Sequence, residues 1–85
     1  MKLSATRKLI SAAQCRMARA ALRMTIEDLA KKAQLASNTV LHFEHELRTP
    51  QDRSIFSIQA VFEALGVRFD VDARYVSVTF PKAAT

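Results

Sequence analysis

The 85-residue sequence contains one cysteine, one glycine and two prolines. A single cysteine, Cys15, excludes an internal disulfide and any metal site built on two thiolates. With one glycine there is no glycine-rich phosphate loop, and no nucleophile motif is present. The sequence therefore predicts neither an enzyme nor a bound cofactor.

Long apolar runs are also missing. No stretch approaches the length of a membrane span or of a secretory signal core, so we expect a soluble, cytoplasmic protein with no membrane partner. Hydrophobic residues still make up 49% of the chain. Together with the scarcity of glycine and proline, this indicates a compact, mainly helical domain rather than a disordered one. A domain of this size has one modest core and often relies on a partner subunit.

Negative charge is absent from residues 1–24, which carry six Lys or Arg residues. Since the whole chain has a net charge of +5, residues 25–85 are slightly acidic. A concentrated basic segment suits a polyanionic partner. An Arg-rich start without acids is also typical of organelle transit peptides, but residues 14–22 are needed as the first helix of the fold.

The first helix is marked by a capping box at Ser11 and Gln14, and it should run over about residues 12–23. Cys15 lies on its apolar side, where a buried thiol is the expected state. The preceding residues 1–10 show only a weak pattern, and we interpret them as a basic arm.

A second capping box, at Thr25 and Asp28, starts a helix that should end near residue 33. Residues 34–37 are too few to form anything but a turn. A third helix then carries apolar residues at steps of three and four, at Val40, Phe43 and Leu47. Two helices joined steeply by so short a turn form a helix-turn-helix, whose second helix can enter the major groove of DNA.

The last third of the sequence predicts one more helix and two strands. Pro50 ends the third helix, Asp52 or Ser54 caps the fourth, and Gly66 ends it. The apolar stripe of the fourth helix consists of Ile55, Ile58, Phe62 and Leu65. Apolar residues then alternate over residues 67–71 and 76–80, as they do in strands.

A lone hairpin is marginal in water, so these strands either pack on the helices or pair with the same strands of a second chain. We favour the dimer, with Phe69, Val76, Val78 and Phe80 at its interface. The expected organisation is a basic arm over residues 1–10, a helix-turn-helix domain over 11–66 and a dimerisation element over 67–85.

Several short motifs occur in an order typical of one family. They are Arg19 in the first helix, residues 25–30, residues 37–40, Phe43 with Glu44, residues 48–50, and residues 64–67. On these motifs, residues 14–69 resemble the Cro and phage-repressor type of helix-turn-helix domain, the xenobiotic response element family. The resemblance implies a mainly α, lambda-repressor-like domain of four to five helices that binds double-stranded DNA.

The resemblance also implies that exposed side chains at the start of the third helix contact bases, namely Ser37, Asn38, Thr39 and His42. Asn38 can pair with adenine through two hydrogen bonds, and the methyl group of Thr39 can touch thymine. The implied phosphate contacts are the amides near Ile26 and the side chains of His45, Arg48 and Arg53. Alternatively, Ser37, Asn38, Thr39 and His42 form a polar helix start that only faces water.

Relatives in this family commonly join the first and third helices by an ion pair, which the resemblance assigns here to Arg19 and Glu44. Three positions depart from the family: Ile26 stands where Gln is usual, Gln34 where the turn has Gly, and Ala36 where Ser caps the third helix. Ile26 removes one clamp to the DNA backbone and offers an apolar contact to a protein instead. Ser37 can serve as the cap if the helix starts one residue later.

A metal site has little support in the sequence. His42 and His45 lie close to Glu44 and Glu46, but two histidines without a placed third ligand do not define a zinc site. We expect no metal.

The expected function is sequence-specific regulation of transcription, most simply by an autoregulating repressor of the phage or mobile-element type that binds a palindromic operator as a homodimer. The alternative is an antitoxin, or a helix-turn-helix module that no longer binds DNA and acts on a protein such as a toxin or another regulator. Ile26, the exposed face of residues 71–80 and the salt dependence of DNA binding distinguish the two.

Overall fold

The computed structural model describes residues 9–82 of the protein. Within this range the chain forms four α-helices followed by one antiparallel hairpin of two strands. The helices are α1 (Ala12–Ala21), α2 (Ile26–Ala33), α3 (Ser37–Glu44) and α4 (Asp52–Ala64), and the strands are β1 (Arg68–Val71) and β2 (Val76–Thr79). The expected mainly helical class with a C-terminal hairpin is confirmed. Residues 1–8 of the expected basic arm lie outside the described residues.

One core holds the helices together. Its buried apolar residues include Ile10, Cys15, Ala18, Leu29, Val40, Phe43, Ile55, Ile58, Phe62 and Val67. α2 packs against α3 and α4, and α1 packs against α3. Since α2 and α3 have only eight residues each, they are too short to be stable alone, and this packing stabilises them. Ile10, which we had assigned to the arm, belongs to the core, and its amide donates to Gln59 Oε1 at 3.2 Å.

Both predicted capping boxes are confirmed. Ser11 Oγ accepts from the Gln14 amide at 3.1 Å, and Gln14 Oε1 accepts from the Ser11 amide at 3.0 Å. At α2, Thr25 Oγ1 accepts from the Asp28 amide at 2.9 Å, and Asp28 Oδ2 lies 3.4 Å from the Thr25 amide. Each box satisfies helix-start amides that have no partner within the helix.

α3 and α4 begin differently from the other two helices. Their cap residues are Ala36 and Gln51, both with extended backbone, and neither makes a side-chain cap hydrogen bond. The predictions that Ser37 replaces the cap of α3, and that Asp52 or Ser54 caps α4, are therefore wrong. Ser37 and Asp52 are already the first helical residues.

Two apolar residues that we had placed on buried stripes are exposed. α3 ends at Glu44, and the positive φ of 58° at Glu46 turns the chain before Leu47, which is 67% exposed. Leu65 follows the last helical residue of α4 and is also exposed. In both cases the helix ends before the apolar period does, so the side chain no longer points at the core.

The hairpin packs on the helices of its own chain. Phe69 pairs with Val78, and the Phe69 ring meets the Phe62 ring edge-on with centroids 5.9 Å apart. Phe69, Val78 and Phe80 are all partly buried against the core. Three of the four residues that we had assigned to a dimer interface are therefore used inside the chain, whereas Val76 is 42% exposed.

A buried glutamine joins α1 to the hairpin. The Nε2 group of Gln14 donates to the carbonyl oxygens of Asp70 and Ser77, both at 3.0 Å, while its Oε1 belongs to the capping box. Asp70 and Ser77 face each other across the two strands. Gln14 therefore fixes the start of α1 and the position of both strands with one side chain.

The turn between α2 and α3 contains a residue in the left-handed conformation. Gln34 has φ 59° and ψ 45°, at the position where the resembling family has glycine. This conformation costs a residue with a Cβ atom about 1 to 2 kcal/mol. The chain adopts this left-handed turn at Gln34 despite that cost.

We expect the substitution Gln34→Gly to stabilise the protein by about 0.5 to 1 kcal/mol, because relief of the left-handed strain exceeds the entropy that glycine adds to the unfolded chain. Urea denaturation measures the change. Gln51→Gly is the control: Gln51 has φ −60°, so this change should not stabilise the protein. Unfolding of Gln34→Gly at lower urea than the wild type would show that the turn is not strained.

Candidate nucleic-acid interface

α3 has one side in the core and one side at the surface. Val40, Phe43 and Glu44 are buried, and they lie on the side that faces α1 and α2. Ser37 and Asn38 are exposed, while Thr39 and His42 are half-buried. The four residues that we expected to contact bases thus lie away from the buried side of α3.

Two shallow clefts flank the surface side of α3. One lies between the starts of α2 and α3, and its lining includes Ile26, Asn38 and Leu41. The other lies between α3 and the segment that leads to α4, and it is lined by Thr39, His42, Arg48, Thr49, Pro50 and Gln51. The expected base contacts are therefore divided between two neighbouring clefts on one surface.

Ile26 does not project freely into solvent. It is half-buried and packs against the core, and it forms an apolar wall of the first cleft together with Leu41. An apolar wall beside Asn38 can accept a methyl group such as that of thymine.

An ion pair fixes α3 to α1. Arg19 contacts Glu44 with two parallel hydrogen bonds, Nε to Oε2 at 2.8 Å and Nη2 to Oε1 at 2.9 Å. The Glu44 side chain is 1% exposed. Arg19 Nη1 also donates to the Met24 carbonyl at 3.0 Å, which holds the end of α1. Because the carboxylate is buried, removing Arg19 would leave an uncompensated charge, at a cost of about 3 to 5 kcal/mol.

Two more α1 residues contact Glu44. The Cys15 thiol donates to Glu44 Oε2 at 3.3 Å, and Arg16 Nη1 donates to the Glu44 carbonyl oxygen. Arg16 also forms a salt bridge of 3.3 Å with Glu46. The sequence did not indicate these contacts. In the sequence, Arg16 was only one of the six basic residues in the segment expected to suit a polyanionic partner.

The ionisation of Cys15 and Arg19 depends on burial and on their contact with Glu44. Burial raises the pKa of the Cys15 thiol, and the adjacent Glu44 carboxylate raises it further. The hydrogen bond to Glu44 raises the pKa of Arg19. The thiol therefore stays protonated at neutral pH and is a poor nucleophile.

The basic side chains expected to contact phosphates are exposed. His45 is the cap residue that follows α3, Arg48 lies three residues further on, and Arg53 lies in the first turn of α4. The side chains of Ala36 and Gln51 leave the first amides of α3 and α4 uncapped, and such amides attract anions. Glu27 lines the first cleft and is the acidic residue there.

The histidines do not assemble a metal site. Glu44, which lies between them in sequence, points into the core toward Arg19. Across residues 9–82, no group of three or more His, Cys, Asp or Glu side chains is placed to hold a metal ion. In the same part of the chain, every helix is too short or too polar to cross a membrane.

No family model matches the sequence, and no curated protein is significantly similar to it.

The buried thiol makes stability depend on pH. The native protein keeps the Cys15 proton at pH values where the unfolded chain, with a thiol pKa near 8.5, has lost it. The stabilisation is fully present below about pH 8.5 and falls as the pH rises, by up to about 1.4 kcal/mol per pH unit. We expect the free energy of unfolding, measured with urea between about pH 9 and 10.5, to fall more steeply for the wild type than for Cys15→Ala. Equal slopes would contradict a buried, protonated thiol.

Proposed function

We propose that this protein is a sequence-specific DNA-binding transcriptional regulator and that α3 reads the bases. The observation that carries the proposal is the placement of α3. Its inner side is held by Glu44 and the core, while Asn38 is exposed and His42 lines a surface cleft. A helix fixed in this way, with its polar start at the surface, suits the major groove of B-DNA.

α2, the three-residue turn and α3 then act as a lambda-repressor-like helix-turn-helix. Asn38 pairs with an adenine, and Ser37, Thr39 and His42 contact neighbouring base edges or the thymine methyl group. Arg48, Arg53, His45 and the amides at the start of α2 near Ile26 contact phosphates and set the register of the helix on the duplex. The exposure of Arg48 and Arg53 supports this division of roles.

The regulator works as a homodimer in the cytoplasm and reads a palindromic operator, with one α3 in each half-site. Bound over its own promoter, it blocks transcription and acts as an autoregulating repressor of the phage or mobile-element type. The hairpin supplies the dimer contact. Exposure of Val71, Tyr75 and Val76 near its tip supports this role, while the side chains of Phe69, Val78 and Phe80 pack on the core of their own chain.

Selection from a pool of random duplexes tests the proposal. Binding is then measured at several salt concentrations to the selected site, to the DNA upstream of its own gene and to a random duplex of equal length. We expect tight binding to the selected and upstream DNA, with affinity that falls steeply as salt rises because phosphate contacts release counterions. Failure to enrich any sequence, with weak binding to every duplex, would contradict the proposal and favour a protein partner such as a toxin.

The role of Asn38 gives a sharper prediction. Asn38→Ala should weaken binding to the selected site by about 1 to 3 kcal/mol and leave binding to random DNA almost unchanged, because only a base contact is lost. Arg53→Ala is the matched control, since losing a phosphate contact should weaken both complexes alike and lower the salt slope by about one. If Asn38→Ala weakens both complexes equally, Asn38 does not read a base.

A further inference from the structure

The two edges of the hairpin have different surroundings. β2 packs against α1, whereas β1 has its main contacts with β2 and reaches α4 through the Phe69 ring. Beside β1 runs an open groove lined by Glu63, Gly66 and residues 67–70. β1 is therefore the accessible edge of the sheet, and an unpaired edge is a template for another strand.

The hydrogen-bond pattern of the hairpin identifies which groups point out of this edge. The Asp72 amide donates to the Tyr75 carbonyl at 2.9 Å and closes the hairpin. Since bonded and non-bonded pairs alternate along antiparallel strands, the Phe69–Val78 and Val71–Val76 pairs are non-bonded. The amide and carbonyl groups of Phe69 and Val71 therefore point away from β2, toward the groove.

Charge complementarity favours a second copy of this chain as the partner, in one register. Arg68 and Asp70 are both exposed and flank Phe69 on the opposite face of β1. If a second copy of β1 lies antiparallel with the two Phe69 residues opposite each other, Arg68 of each copy faces Asp70 of the other. Centring the pair on Arg68 places two Arg68 side chains directly opposite each other, which is unfavourable. Centring it on Asp70 places two Asp70 carboxylates opposite each other and sets Arg68 opposite Asp72, whose Oδ1 already accepts from the Arg74 and Tyr75 amides.

The apolar residues at the hairpin tip fit the same arrangement. Val71 and Val76 form a cross-strand pair, are 38% and 42% exposed, and lie on the same face as the Phe69–Val78 pair. In the chosen register Val71 of one copy lies opposite Val67 of the other. The Val67 amide donates to the Phe62 carbonyl at 3.1 Å, so only the Val67 carbonyl can join this pair, by accepting from the Val71 amide.

We propose that two copies of this chain pair through β1, antiparallel and centred on Phe69, to form a continuous four-stranded sheet across the dimer. The Phe69 amide of each copy donates to the Phe69 carbonyl of the other, and each Val71 amide donates to the other Val67 carbonyl. Arg68 and Asp70 set the register through two symmetric ion pairs. This inference rests on the homodimer of the proposed function and adds its interface, register and specificity residues.

Charge exchange tests the register. Arg68→Asp and Asp70→Arg each place like charges opposite one another at both symmetric positions, so each variant should weaken the dimer by about tenfold or more in sedimentation equilibrium. The double variant Arg68→Asp with Asp70→Arg restores opposite charges and should dimerise like the wild type. Arg74→Asp is the matched control, because Arg74 is exposed but lies in the hairpin turn outside β1. Circular dichroism and thermal unfolding establish that each variant is folded.

The outcomes separate the interface from the function. Single variants that dimerise like the wild type, a double variant no better than the single ones, or a monomeric wild type would each overturn the pairing through β1. The DNA selection described above, made on the same proteins, tests function separately. A dimer rescued by charge exchange that selects no DNA sequence would refute the proposed function and leave the interface standing.

Discussion

The buried carboxylate of Glu44 is the contact on which the rest of the structure depends. Glu44 is the last residue of α3, and its carboxylate accepts two hydrogen bonds from Arg19 and one from the Cys15 thiol. A buried charge is tolerated only when it is paired and fully hydrogen-bonded. α1 therefore cannot shift relative to α3 without exposing or unpairing this charge, and the surface side of α3 has a fixed direction. Recognition of a groove requires that kind of rigid presentation.

Gln14 fixes the hairpin to α1, just as Glu44 fixes α3 to α1. The same side chain completes the capping box of α1 and holds the carbonyl oxygens of β1 and β2. α1 thus orients both proposed contact surfaces, the DNA-reading helix through Arg19 and the β1 edge through Gln14. This arrangement lets a small core position two interfaces at once. It also explains why the polar residues Gln14 and Glu44 occupy buried positions in a domain with little core to spare.

Features governed by local chemistry were predictable from the sequence. The capping boxes at Ser11 and Thr25, the short turn at Gln34 and the helix stop at Gly66 depend on a few neighbouring residues, and all four are present. Features governed by competition between distant groups were not. Leu47 continues the apolar period of α3, but the chain turns at Glu46 and leaves Leu47 exposed. Phe69 was expected at a dimer interface, but its ring packs on Phe62 within the chain. Pairing of Arg19 with Glu44 was inferable only through the family resemblance, since nothing local joins residues so far apart in sequence.

Chemical-shift mapping of the isotope-labelled protein during titration with its selected duplex tests the central claim most directly. We expect the largest amide shifts in residues 37–42, with smaller ones at the start of α2 and at residues 48–53, and little change along α4 beyond its first turn. Shifts confined to the hairpin or to the far side of α4, with α3 unaffected, would contradict the assignment of α3 as the helix that reads DNA.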